Sequence, residues 1–171
     1  RIETNSVLCK QIAELVIRGK QSADSVIRLL VDYTRSLAEM ISDDRFGYVN
    51  PDITEKHFPI TKRPNGEVEI KVFTTQELVG ETRSVTSEEV IQALQNKGYN
   101  PAEFSEALTY SKANPDEQRK YPIVILGSVW RDFDGDRFVS YLWHVGLERD
   151  LRLSWFDSEW FEYCRFLGVR K

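Results

Sequence analysis

Few residues in this sequence have the types and spacing for chemistry. The most suggestive string is Asp132-Phe133-Asp134-Gly135-Asp136, whose alternate aspartates resemble the first half of a calcium loop. The match then fails, because Gly135 falls at the fourth position and Trp143, not Glu, at the twelfth. Between two strands, Asp134-Gly135 reads first as a hairpin turn. The two histidines, His57 and His144, leave little for a histidine-based triad, and His57 sits in an irregular stretch. No phosphate loop, G-x-G-x-x-G or G-x-S-x-G is present. The two cysteines, Cys9 and Cys164, are far apart and form no C-x-x-C, which excludes a zinc ribbon or a thioredoxin-type site. Two unpaired thiols in a reducing compartment are the expectation, so a cytoplasmic location is slightly favoured, with no signal peptide visible. No metal site and no cofactor are expected.

What stands out is the aromatic side chains. The last 51 residues hold 12 of the 20 aromatics and all four tryptophans, Trp130, Trp143, Trp155 and Trp160. Tryptophans in strands are usually core, and Trp130 and Trp155 fit that role. The stretch 140–164 also carries Tyr141, His144, Arg152, Phe156, Phe161 and Tyr163, and strand alternation cannot bury all of these side chains. Some must face solvent, and exposed Tyr, Trp, Arg and Ser are the composition of recognition surfaces.

The elements that must position these residues follow from periodicity. Residues 6–42 read as a helical hairpin. Its first helix carries Val7, Leu8, Ile12, Leu15 and Val16 and stops at Gly19. Its second is capped by Ser22 and has Val26, Ile27, Leu30, Tyr33, Leu37, Met40 and Ile41 on its apolar face. Residues 43–66 are irregular, with turn signals at Asn50-Pro51, Phe58-Pro59 and Pro64-Asn65-Gly66. Residues 67–73 alternate as a half-buried strand, and 76–84 form a connection. Thr86 caps a helix with Glu89 at the capping-box position, and Gly98 closes it. Pro101 opens a second helix that ends at Asn114-Pro115. Tyr121–Trp130, Arg137–Val145, Asp150–Phe156 and Tyr163–Arg170 then form a run of antiparallel strands, with Leu151, Leu153 and Trp155 on one face and Arg152 and Ser154 on the other. The fold class is α+β, with helices packed on one face of a sheet. The expected division is a helical hairpin over 1–45, a connection over 46–66 and a main domain over 67–171.

Composition agrees with a folded chain. The 171 residues are 41% hydrophobic and 29% charged, with a net charge of −4. No third of the chain is basic; residues 121–171, for instance, carry 7 basic and 8 acidic side chains. Nucleic acid is therefore not expected as a main partner. No apolar run approaches the roughly 20 residues of a membrane span.

The C-terminal third resembles a known group. Tyr121-Pro122-Ile123-Val124, Leu126-Gly127-Ser128-Val129-Trp130, Leu151-x-Leu153-x-Trp155, Trp160 and Arg165-Phe166-Leu167-Gly168-Val169-Arg170-Lys171 are similar to patterns in small proteins of the C-type-lectin fold. Among these they resemble the variable proteins diversified by retroelements in phages, bacteria and archaeal viruses. The resemblance covers about the last 105 residues, on the order of strand, two helices and late strands. It implies a C-type-lectin-like domain over 67–171 and a non-enzymatic ligand-binding protein, with a protein or other macromolecule bound through residues 140–164. Adenine-directed diversification reaches Ser, Tyr, His, Asp, Arg, Phe and Cys codons but not Trp. The implied ligand-binding positions are Ser140, Tyr141, His144, Arg152, Ser154, Phe156, Asp157, Ser158, Phe161, Tyr163 and Cys164, with Trp143, Trp155 and Trp160 as fixed scaffold. Glu-Pro-Asn, Gln-Pro-Asp and Trp-Asn-Asp are absent, so calcium-dependent sugar binding is not implied. Nor do Cys9 and Cys164 match the reactive pair of the formylglycine-generating relatives. The N-terminal hairpin would serve packing, homo-oligomerisation or attachment. Two other readings remain at this stage: a small enzyme with an acidic-aromatic cleft, and a structural or regulatory module of a mobile element.

Overall fold

The computed structural model describes residues 26–171. The chain enters through a strand, Ile27–Val31 (β1), a helix, Leu37–Asp44 (α1), and a two-residue strand, Tyr48–Val49 (β2). Gly66–Phe73 (β3) follows, then a short helix, Thr75–Val79 (α2), and a longer one, Ser87–Asn96 (α3). Tyr99–Pro101 (β4) leads into Phe104–Ala113 (α4) and a single 3₁₀ turn at Glu117–Arg119. Ile123–Arg131 (β5), Arg137–Val145 (β6), Glu148–Trp155 (β7) and Arg165–Arg170 (β8) complete the chain. The eight strands form one mixed sheet in the order β1-β3-β8-β5-β6-β7-β2, with β4 pairing to β8. No helix among the described residues is long and apolar enough to cross a membrane.

The N-terminal expectation needs correction. The hairpin's first helix, with Cys9, lies outside the described residues. Its second helix is replaced over 27–31 by β1, which pairs antiparallel with β3 from Ile27↔Ile70 to Val31↔Gly66. The β-branched Ile27 and Val31 favour this pleated setting. Asp32 then turns the chain, accepting the Thr34 N–H at 2.9 Å, and Ser36 with Glu39 forms the capping box that starts α1. Residues 27–44 are thus built into the sheet and its core, not set apart as a hairpin.

Further along, local signals hold. Thr86 and Glu89 form the expected capping box of α3. Asp134-Gly135 turns β5 into β6, with Gly135 at φ 89° and the Asp132 carboxylate accepting the Asp136 N–H at 2.9 Å. Three details differ. Thr74 and Glu77 cap α2 inside the expected connection. Pro101 belongs to β4, and α4 starts at Phe104 after the cap Glu103. The closing strand β8 is antiparallel to β3 but parallel to β5, so the late strands are not all antiparallel.

Helices cover both faces, not one. Ile123, Ile125, Leu142, Leu151 and Leu167 pack with Leu37 of α1 and with Phe104 and Leu108 of α4. Val124, Val139 and Phe166 pack on the other face with Leu78 of α2 and with Val90 and Leu94 of α3. Each such side chain, fully buried, contributes on the order of 1.5–3 kcal/mol. A wide bulge interrupts β5. Ile125 pairs with Ser140 and Val129 with Val139, so three residues of β5 have no counterpart in β6. Gly127 sits in this bulge because its backbone meets β4; a Cβ there would fall 2.4 Å from the Ala102 oxygen. The next residue, Ser128, accepts the Phe104 N–H at 3.1 Å and so caps α4. The bulge also reverses the alternation, which turns Trp130 onto the α4 side of the sheet.

Candidate functional site

The face covered by α2 and α3 is covered only in part. Among the described residues no helix lies over β6 and β7 on this face, and alternation brings Tyr141 and Trp143 of β6 and Arg152 and Ser154 of β7 to this open area. What borders it is the segment between β7 and β8. That segment is pinned by Trp160, whose backbone exchanges hydrogen bonds with Val85 at 2.8 and 3.0 Å. The Trp160 indole N–H donates to Ser87 Oγ at 2.9 Å, and the Ser87 hydroxyl donates to the Phe156 carbonyl at 2.7 Å. With Trp160 buried as an anchor, its neighbours Phe161 and Tyr163 turn outward. They are 61% and 54% exposed and stack on each other at 5.6 Å and 15°.

A groove of about 260 Å³ lies between strand and segment. Tyr141, Trp143 and Ser154 form its strand side; Glu159, Phe161 and Tyr163 form the other. Trp160, Cys164 and Pro122 complete its lining. Burial pushes the Cys164 thiol up to about 11, so it is an inert part of the wall and not a nucleophile. Glu159 makes no hydrogen bond or ion pair with any described residue. Arg152 stands beside the groove, its guanidinium donating twice to Asp150 Oδ2 at 3.0 and 2.8 Å and lying 5.4 Å from the Tyr48 ring centre.

Of the residues expected to bind, the structure brings Tyr141, Ser154, Phe161, Tyr163 and Cys164 together here, with Arg152 at the edge. The others lie elsewhere. Ser140 is fully buried on the opposite face of β6, its Oγ unpartnered. Phe156 is 5% exposed and belongs to the core, under the Arg137 guanidinium at 4.1 Å. Asp157 is taken by an ion pair with Arg137, and the Ser158 N–H donates to the Trp155 carbonyl in the turn after β7. His144 lies near the β6–β7 turn, its Nδ1 3.0 Å from the Gly146 oxygen. Trp143, expected as scaffold, lines the groove. Its i, i+2 spacing from Tyr141 carried that signal. Glu159 had only its place in an aromatic run to mark it.

A second cavity, about 510 Å³, lies by α4 and includes Tyr33, Arg63, Glu103 and Glu106. Its polar groups satisfy one another. The Tyr33 hydroxyl donates to Glu106 at 2.8 Å, and Arg63 pairs with both Glu106 and Glu103. Burial pushes the Tyr33 hydroxyl up to about 12, and burial followed by the Glu106 charge raises the Glu103 carboxyl. Both acids also serve the start of α4, where the Glu103 N–H donates to Glu106. No group of three or more His, Cys, Asp or Glu placed to hold a metal ion occurs among the described residues.

No family model matches this chain, and neither a curated protein nor a solved structure matches it.

Proposed function

We propose that the protein is a recognition protein that binds a macromolecular ligand through the aromatic groove between β6–β7 and the 156–164 segment. One observation carries this reading: Phe161 and Tyr163 are more than half exposed over an opening walled by further rings. Rings so placed give large, rigid contact area at low entropic cost. The surrounding scaffold is packed on both faces, so the groove is held in shape before a ligand arrives.

The finer proposal is a C-type-lectin-like domain with a retroelement-diversified surface. Its support is the element order: β3, the helices α3 and α4, then β5 to β7 and a closing strand beside β3. In this reading the diversified positions are those whose side chains reach the groove or its edge, Tyr141, Arg152, Ser154, Phe161 and Tyr163. Buried Ser140 and Phe156 would not vary, nor would Cys164, which lines the groove but is 5% exposed. Sequencing the gene across a source population tests that part.

Binding itself is tested by panning a random peptide library against the full chain and against a Phe161→Ala/Tyr163→Ala variant. Loss of about a kilocalorie or more per ring weakens recovered binders at least about tenfold on the variant. Equal binding to both chains, or no binder recovered on either, overturns the proposal.

A further inference from the structure

We infer that the groove takes a cationic group, the alkylammonium head of a lysine side chain in its methylated form, presented by a polypeptide partner; this rests on the recognition role proposed above. Three observations point to it. The first is ring availability. Aromatic faces carry negative potential and attract cations within about 6 Å of their centres. Elsewhere the protein supplies the cation itself: Arg63 lies 4.1 Å from the Tyr33 ring, Arg137 4.1 Å from Phe156 and Arg165 4.6 Å from Tyr121. Among the described residues no such pairing occupies Tyr141, Trp143, Phe161 or Tyr163.

The second is charge. Glu159 lines the groove with a carboxylate that has no partner among the described residues, and residues 157–162 hold three acidic side chains and no basic one. Among the described residues the nearby cations are already committed. Arg152 is held by Asp150 and, beyond it, by the Tyr141 side chain; Arg165 lies on Tyr121 and donates to the Tyr163 and Cys164 carbonyls at 3.1 and 3.2 Å. A carboxylate beside open ring faces favours an incoming cation over an anion or a neutral group of equal shape. The third is size. The groove, about 260 Å³, is smaller than the roughly 300–1,000 Å³ of sites that enclose a whole small molecule, and suits the head of one side chain.

The test uses the full chain and a short glycine–serine peptide carrying one central trimethyllysine. Two controls are the same peptide with the uncharged carbon isostere, C(CH₃)₃ in place of N⁺(CH₃)₃, and free tetramethylammonium. Binding is read by tryptophan fluorescence and by calorimetry at low salt. The charged peptide is expected to bind at least about tenfold tighter than its isostere. Glu159→Gln should remove most of that preference and Glu159→Asp should restore part of it. Tetramethylammonium should compete more weakly than the peptide. An isostere that binds as well as the cation, or a preference untouched by Glu159→Gln, overturns the inference. Tetramethylammonium competing as well as the peptide overturns the polypeptide source. Library binders that need Phe161 and Tyr163 but carry no cation would also end it, while leaving the recognition role standing.

Discussion

Two aromatic sets lie back to back on the β5–β6–β7 sheet, and they are built in opposite ways. On the α4 side, His57 stacks on Trp130 at 4.0 Å and 5°, Trp130 on Phe138 at 5.0 Å, and Phe138 meets Trp155 at 4.6 Å. Each ring in that row is another ring's partner, and the loop carrying His57 and Phe58 covers one end of it, while Trp155 at the other end is 49% exposed and not the core residue its strand suggests. On the groove side, Phe161 and Tyr163 stack as a pair, but the space between them and Tyr141 and Trp143 stays open. The two sets share a composition. What separates them is the space between the rings: Tyr141 also meets Trp160 at 6.4 Å and Trp143 meets His144 at 4.6 Å, yet a groove of about 260 Å³ is left among the rings of this side. Aromatic content alone therefore does not mark a binding surface; rings that line an open groove around a fixed anchor do.

The comparison breaks most easily at the anchor. Trp160→Ala should cost about 3–5 kcal/mol in chemical denaturation, because it empties a buried site and leaves the Ser87 hydroxyl without its donor. Phe138→Ala, in the middle of the ladder, should cost about 2–3 kcal/mol, since two ring contacts go with it. A smaller loss for Phe138 than for Phe161 would mean that the two faces have been assigned the wrong way round.

The ladder side also contains the buried ionic cluster, and this gives a pH signature. Asp44 is buried with Arg149, which also donates to the Asp44 carbonyl at 2.7 Å and to Gln118 Oε1 at 3.1 Å, while Asp44 Oδ2 has no partner. Burial raises the Asp44 carboxyl to about 6, against the pull of Arg149. The folded chain thus holds this proton more tightly than the unfolded chain, whose carboxyl titrates near the ordinary 3.8. The stabilisation is full below about pH 4 and is lost as pH rises through about 6. The difference in stability between wild type and Asp44→Asn should therefore shift by about 1–2 kcal/mol between pH 4 and pH 7, in favour of the variant at pH 7. Parallel denaturation curves across that range would contradict it.

The groove side should be quieter. Phe161→Ala and Tyr163→Ala should each change stability by less than about 1 kcal/mol, as exposed positions do. In a Cys9→Ser background, Cys164 should react slowly with a maleimide at pH 8 in the native chain and fast once unfolded, because its thiol is 5% exposed and raised to about 11.

Much of this was legible in the sequence where the signal is local. Thr86 with Glu89, Asp134-Gly135 and the alternation of 67–73 each point to the element that forms. Ile27–Val31 was not, because Val26, Ile27 and Leu30 suit a helical stripe as well as a strand, and the deciding partner, β3, lies some forty residues away. The β5 bulge was hidden for a similar reason: Gly127 answers to Ala102, not to its neighbours. In the site, alternation placed Arg152 and Ser154 on one face, and the β6–β7 register adds Tyr141 to it. It had no power over 156–164, which is irregular; there the hold of Ser87 and Val85 on Trp160 decides which rings are buried and which are free.

The most direct test of the central claim is a hydroxyl-radical footprint of the full chain with and without a ligand selected against it. Protection at Trp143, Phe161 and Tyr163, with Trp155 unchanged, is the expected result. Protection at Trp155, with Phe161 and Tyr163 still open to oxidation, would place binding on the ladder face and contradict it.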